Sequence, residues 1–288
     1  VIYAVRGNIR KEPTIMKKLA ICIGINDYPG TGSDLAGCVN NAHDWGEALT
    51  ARGFSVAHLL DKQATGAAMR AAIKSVIGKA ASGDLVVIQY SEHGSFVPDQ
   101  DGDEPDGTDE CRCPYDIEKK GPITDDELSI LYPGRAAGVK LVVISDSCHL
   151  GTVARFAPIT TPATAKGKNP PTRKVRFLPP ATFLTPRQMQ GLGTRLRRAA
   201  SPPGRHEALL MAGCQDSEYS YDAVFEGRPN GAFTFVALRE LAKLPKTATY
   251  QDWHDRIRKV LPSQQYPQMP NLFGTSAMKE WRVLGEKA

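Results

Sequence analysis

The 288-residue sequence has no run of 18 or more apolar residues, so no stretch of it is long enough to span a bilayer as a helix. Its first residues mix apolar and charged side chains and lack the apolar block of a secretory signal. Cysteine is scarce. The six thiols (Cys22, Cys38, Cys111, Cys113, Cys148 and Cys214) are too few for a disulfide scaffold in a chain this long. A reducing, cytoplasmic setting is therefore expected. Histidine is absent between positions 94 and 148, so Cys111-x-Cys113 has no nearby partners and does not make a zinc site. Acidic residues are missing altogether from 151–205, which holds 11 basic residues and nine prolines. That segment has no helical period and few aromatics to stack on bases, so a nucleic-acid partner is not expected. No internal repeat is found.

What is present is an alternation of apolar runs and helical patterns. Lys18–Ile25, Phe54–Leu60, Leu85–Tyr90, Lys140–Ile144 and Glu207–Ala212 read as strands. Asn40–Arg52, Ala64–Ala80, Gly231–Ala242 and Tyr250–Leu261 read as helices. Strands separated by helices imply an α/β fold with a mostly parallel sheet, and unbroken apolar strands imply helices on both of its faces. Thr124 and Glu127 have capping-box spacing, so a short helix is expected to start there. Residues 95–123 read as an acidic Gly- and Asp-rich loop, and 151–205 as a long loop of functional kind.

Open parallel sheets bind ligands beyond the carboxyl ends of their strands. The third strand runs into Ser91-Glu92-His93-Gly94 and the fourth into Ser145-Asp146-Ser147-Cys148-His149. A cysteine and a histidine at two such ends suit nucleophilic catalysis. The thiolate attacks, and the imidazole takes and returns the proton. Cys148 is the expected nucleophile and His93 the expected base. His149 is a weaker rival, because adjacent side chains diverge. The backbone N–H groups of Gly94 and Cys148 are the natural donors to an oxyanion. A non-catalytic interaction module is the alternative reading.

Tyr90-Ser91-Glu92-His93-Gly94-Ser95 and Asp146-Ser147-Cys148-His149-Leu150-Gly151 resemble the two catalytic motifs of caspase-like peptidases. The His-to-Cys spacing of 55 suits the caspase order. Supporting stretches include Leu35-Ala36-Gly37-Cys38, Asp106-Gly107-Thr108-Asp109-Glu110, Ser220-Tyr221-Asp222 and Asn230-Gly231-Ala232-Phe233-Thr234. The chain is similar to the metacaspases of bacterial, orthocaspase-like type. That resemblance implies a caspase–haemoglobinase fold over residues 17–275, with a large-subunit-like part at 17–150, the basic linker at 151–205 and a small-subunit-like part at 206–275. Residues 1–16 would be an extension and 276–288 a tail.

The resemblance further implies a cysteine endopeptidase that cuts protein or peptide substrates after Arg or Lys and self-processes in the 151–205 loop; no membrane attachment is expected, and a monomer is. Its substrate pocket would use Asp146, Ser91 and Cys38, with Asn41 where the family carries an aspartate. Glu92 likewise replaces a family glycine. The family's calcium site maps onto Asp109, Asp125 and Asp126, within a stretch from Asp99 to Glu127 that holds 12 acidic and 3 basic residues. Calcium is therefore the one cofactor expected. The fourth family aspartate has no counterpart near Arg155.

Overall fold

Consecutive residues of a strand face opposite sides of a sheet, so a strand apolar at every position feeds two cores at once. Ala20 and Cys22 pack into one apolar cluster, and their neighbours Ile21 and Ile23 into another. Val87 with Val86, and Val142 with Val143, divide in the same way. In the computed structural model, which describes residues 16–99, 102, 107–148, 173–190, 207–215 and 218–285, these strands form the centre of a six-stranded sheet.

That sheet is built from β1 (Lys18–Gly24), β2 (Ser55–Leu60), β3 (Leu85–Ser91), β7 (Lys140–Asp146), β9 (Leu209–Ala212) and β12 (Asn271–Phe273), in the order β12-β9-β7-β3-β1-β2. All neighbours are parallel except β12, which closes one edge antiparallel to β9. Helix α1 (Cys38–Thr50) carries the chain from β1 to β2, and α2 (Gly66–Gly78) carries it back past β1 to β3. The two crossovers run in opposite directions, so right-handed connections put their helices on opposite faces. Trp45 and Leu49 of α1 share one core with α6 (Ala232–Leu241) and α7 (Tyr250–Arg258). Met69, Ile73 and Ile77 of α2 share the other with Leu128 of α4 (Asp125–Leu131). The first core centres on Trp45 and Trp253, in edge contact at 5.8 Å. Their indole N–H groups donate to Thr234 Oγ1 and the Ala237 carbonyl.

The five strands and four long helices expected from the sequence are all present, with no end displaced by more than three residues. Thr124 caps α4 by accepting from the Glu127 N–H, while the Glu127 carboxylate turns instead to Arg70. Three features differ from expectation. The acidic stretch 95–123 is not all loop: β4 (Gly94–Pro98), β5 (Thr108–Arg112) and β6 (Ile123–Thr124) make a small antiparallel sheet, followed by the short α3 (Ile117–Lys120) between β5 and β6. A second small sheet joins β8 (Lys174–Val175), β10 (Tyr221–Phe225) and β11 (Arg228–Gly231). The basic linker thus contributes a strand, and also the short α5 (Pro186–Met189).

The residues expected as a C-terminal tail also pack. They form α8 (Ser276–Lys279), place Trp281 5.4 Å under Lys140, and bury Val283 and Leu284. Residues 1–15 lie outside the described structure, as do His149, Arg155 and most of the linker. No helix among the described residues is long and apolar enough to cross a membrane.

Trp253 is fully buried at the centre of the first core, so Trp253→Ala is expected to cost about 3–5 kcal/mol through lost transfer energy and a residual cavity. Urea or guanidinium titration followed by circular dichroism measures it.

Candidate active site

Strands β3 and β7 are hydrogen-bonded neighbours in register, Ser91 opposite Asp146. Their ends therefore deliver His93 and Cys148 to the same rim of the sheet. Gly94 makes this possible. A Cβ there would lie 1.6 Å from the Cys148 carbonyl oxygen, so any other residue would drive the two loops apart. Both side chains are covered, Cys148 completely and His93 to within 2% exposure.

What covers them is the chain itself. Residues 174–178 run through the cleft as an extended segment. Lys174 and Val175 pair antiparallel with β10, the Arg176 N–H donates to the Ser220 carbonyl at 2.9 Å, and the Leu178 N–H donates to the Gly94 carbonyl at 3.0 Å. The Arg176 carbonyl oxygen accepts from the N–H of Gly94 at 3.0 Å and of Cys148 at 3.3 Å. These are the two donors expected for an oxyanion.

The Arg176 side chain is wholly buried. Its Nη1 donates to the Asp146 carbonyl at 2.8 Å and lies 3.2 Å from Asp146 Oδ2, and its Nη2 donates to Asp222 Oδ1 at 3.0 Å. Burial opposes its charge, but Asp146, Cys38 and Asp222 outweigh that and hold the guanidinium above its ordinary range. All four expected pocket residues meet here. Asn41 donates through Nδ2 to Ser91 Oγ and to Asp146 Oδ2, and its Oδ1 accepts from the Gly231 N–H. The Cys38 thiol is fully buried, with its pKa raised well above the usual value by that burial.

Asp146 also accepts from Ser220 Oγ at 2.6 Å and from the N–H and hydroxyl of Thr234 at 3.0 and 2.7 Å. A buried carboxylate held by this many donors keeps its place when no guanidinium is present. Gly231 forms the pocket floor, where a Cβ would lie 2.8 Å from the Arg176 guanidinium carbon. Sequence reasoning gave no pocket role to Asp222, Ser220 or Thr234, because strand ends distant in the chain bring them in. The motif stretches that contain them were the available signal.

The imidazole is set up to accept a proton. His93 Nε2 lies 2.6 Å from the Ser33 carbonyl, which can only accept, so Nε2 carries the hydrogen and Nδ1 keeps the lone pair. Burial lowers the His93 pKa to about 4, with Arg176 adding to the shift against the Ser33 carbonyl. The ring is therefore neutral at pH 7. Tyr28 packs against it at 4.8 Å and its hydroxyl receives the His93 N–H. No hydrogen bond joins His93 to Cys148 among the described contacts. The Cys148 sulfur instead accepts the Ser220 N–H at 3.0 Å, and its thiol faces the Ser220 carbonyl at 3.7 Å.

A second guanidinium steadies the loop that carries Cys148. Arg112 Nη1 donates to the hydroxyls of Ser145 and Ser147 at 2.7 and 2.5 Å, either side of Asp146, and its plane lies 4.5 Å over Tyr90. Glu92, next to the histidine, is fully buried, and neither of its carboxyl oxygens has a hydrogen-bond partner. It does not reach His93.

The calcium residues are less gathered. Asp125 has two buried oxygens without a partner, and burial together with Asp126 raises its pKa to about 7. Asp109 is buried on β5. Among the described residues, however, no three His, Cys, Asp or Glu side chains are arranged to hold a metal ion. The described donors thus fit a cation in part, at Asp125, and not as a complete site.

Burial raises the Glu92 pKa from 4.5 to about 8, opposed by Arg112. The folded protein holds this proton at pH 7 and the unfolded chain releases it, so stability is lost as pH climbs from about 4.5 to about 8. Glu92→Gln is expected to remove that loss. Its melting temperature should rise relative to wild type between pH 5 and pH 8, as read by thermal melts across pH.

The sequence profile of the Caspase domain matches residues 17–281. Metacaspase-1 of Mycosarcoma maydis is 31% identical over 92% of this chain and 73% of its own length. Metacaspase-1 of Cryptococcus neoformans is 31% identical over 91% of this chain, which spans only 63% of that relative. Among solved structures, a Geobacter sulfurreducens protein superposes with a TM-score of 0.69 at 29% identity, covering 94% of this chain and all of the other. Caspase-1 of Spodoptera frugiperda, at 12% identity and a TM-score of 0.55 over 90% of this chain and 86% of its own, shares the fold. A mostly parallel sheet with the two motif loops at one rim, a profile match over nearly the whole chain and metacaspase relatives at this identity place the protein in the caspase-domain family of cysteine peptidases.

Proposed function

We propose that this chain is a cysteine endopeptidase that cleaves after arginine, and less well after lysine, and that it processes itself at Arg176–Phe177 within the 151–205 segment. One observation carries the reading. Arg176 lies in the cleft as a substrate residue would, its carbonyl oxygen on the Gly94 and Cys148 N–H groups and its guanidinium on Asp146 and Asp222. A buried guanidinium is tolerated only where carboxylates and carbonyls satisfy it. Two carboxylates suit the planar fork of arginine better than the point charge of lysine.

In the reaction, the Cys148 thiolate attacks the carbonyl carbon of the basic residue, and negative charge gathers on the oxygen held by the two N–H groups. His93, having taken the thiol proton, passes it to the leaving amine as the C–N bond breaks. Water then attacks the thioester and gives a proton to His93, the acid product departs and the thiol is restored. Asp146, fixed through Ser220, Thr234 and Asn41, orients the substrate. Arg112 holds the serines beside it.

Intact-mass analysis of wild type and Cys148→Ala tests the proposal. Wild type is expected to yield two fragments divided after Arg176, and Cys148→Ala one uncut mass. Arginyl coumarin amides should be turned over roughly tenfold faster than lysyl ones, about 1.4 kcal/mol in the transition state. Identical single masses together with no turnover would sink the reading.

Calcium stimulation is part of the proposal on the strength of Asp125, whose two unpartnered buried oxygens favour a nearby cation. Calorimetric titration of Cys148→Ala with calcium is expected to give binding heat that Asp125→Asn abolishes. No heat with either protein removes calcium from the scheme.

A further inference from the structure

The segment in the cleft continues past Arg176, and its next two residues also make defined contacts. The Phe177 ring stacks on Phe96 with centroids 6.0 Å apart and planes 18° from parallel, and it meets Tyr219 at 6.4 Å and 58°. Phe96 is buried on β4, two residues beyond Gly94, while Tyr219 lies just before β10. Both therefore sit beside residues that grip Arg176, one on either wall of the cleft. Leu178 is fully buried in the α2-side core, its N–H on the Gly94 carbonyl and its own carbonyl accepting from Ser95 Oγ at 2.6 Å. On the other side of Arg176 the contacts are looser. Val175 is half-buried, and Lys174 is exposed, meeting only the Asp34 carbonyl through its ammonium group.

We infer that Phe96 and Tyr219 form a subsite for an aromatic residue directly after the scissile bond, so that the substrates of this enzyme are Arg-aromatic-aliphatic sequences rather than arginine bonds in general. The inference rests on the cleavage reading above and deepens it. Two aromatic walls at stacking distance prefer an aromatic ring to a small or charged side chain. Ser95 and Gly94 add main-chain positioning for the residue that follows. The amine of the aromatic residue is the leaving group of the first step, departing as the Cys148 thioester forms and His93 protonates the nitrogen. The preference therefore acts on acylation and is read in kcat/KM, since hydrolysis of the thioester takes place after that residue has gone.

The test uses the full chain after self-processing, with internally quenched peptides Val-Arg-Phe-Leu, Val-Arg-Gly-Leu and Val-Arg-Asp-Leu and an arginyl coumarin amide. The phenylalanine peptide is expected to exceed the glycine one roughly three- to tenfold in kcat/KM, with the aspartate peptide lowest. In Tyr219→Ala and in Phe96→Leu, each checked for folding by thermal melt, that ratio should fall towards one. Tyr219 is half-buried, so its variant keeps the test available if Phe96→Leu does not fold. A ratio near one in wild type, with arginine peptides still cleaved, overturns the subsite alone. A ratio that neither variant changes overturns its assignment to these rings. Failure to cleave any arginine substrate, the coumarin amide included, overturns the cleavage reading and the subsite with it.

Discussion

The guanidinium of Arg176, buried between Asp146 and Asp222, is the interaction on which the rest of the site depends. A charge removed from water this completely is costly unless carboxylates and carbonyls meet it, and they do so at Nη1 and Nη2 while the buried Nε has no partner. Asp146 meets it with a side-chain oxygen and its own carbonyl. Asp222 meets it while accepting from the backbone N–H groups of Ala36 and Gly37. Asn41, Ser220 and Thr234 hold Asp146 in turn. Because the arginine is fixed at its far end, its carbonyl is fixed at the near end, against Gly94 and Cys148. Under the proposed cleavage, recognition of the side chain and placement of the scissile bond are one event, the condition under which binding energy can lower a chemical barrier.

The sheet makes this convergence possible. β3, β7 and β9 end together, so loops far apart in the chain emerge side by side. One carries His93, the next Cys148, and the third leads to the strand that pairs with Lys174 and Val175. Glycine is required at two crowded places, Gly94 against the Cys148 backbone and Gly231 against the side chains of Asp146, Asn41 and Arg176. The imidazole needs no carboxylate to orient it. The Ser33 carbonyl fixes its tautomer, and burial keeps it neutral.

Two residues that departed from the family pattern take on definite character in three dimensions. Asn41 is a neutral bridge that donates to both Ser91 and Asp146, a link an aspartate could not supply. Asp222 provides the pocket with its second carboxylate. Glu92 faces away from hydrogen-bonding partners and is held protonated, with the Arg112 charge too remote for a direct bond. Arg112 serves the nucleophile loop through Ser145 and Ser147 instead.

Much of the architecture was legible in the sequence because burial on both faces writes itself into β3 and β7 as the apolar runs 85–88 and 141–144, and α1 and α2 carry a helical period between them. The strand ends then marked Cys148 and His93. The small sheets were not legible. β4, β5 and β8 are short, lack an apolar run and are drawn from stretches rich in Gly, Asp or Pro, and such strands are stabilised by partners that local pattern does not name. Most of all, the basic linker offered 11 equivalent cations. Composition could say that one of them suits an acidic pocket. Only the tertiary structure selected Arg176, because backbone pairing of Lys174 and Val175 with β10 sets the register, and register alone decides which side chain meets Asp146 and Asp222.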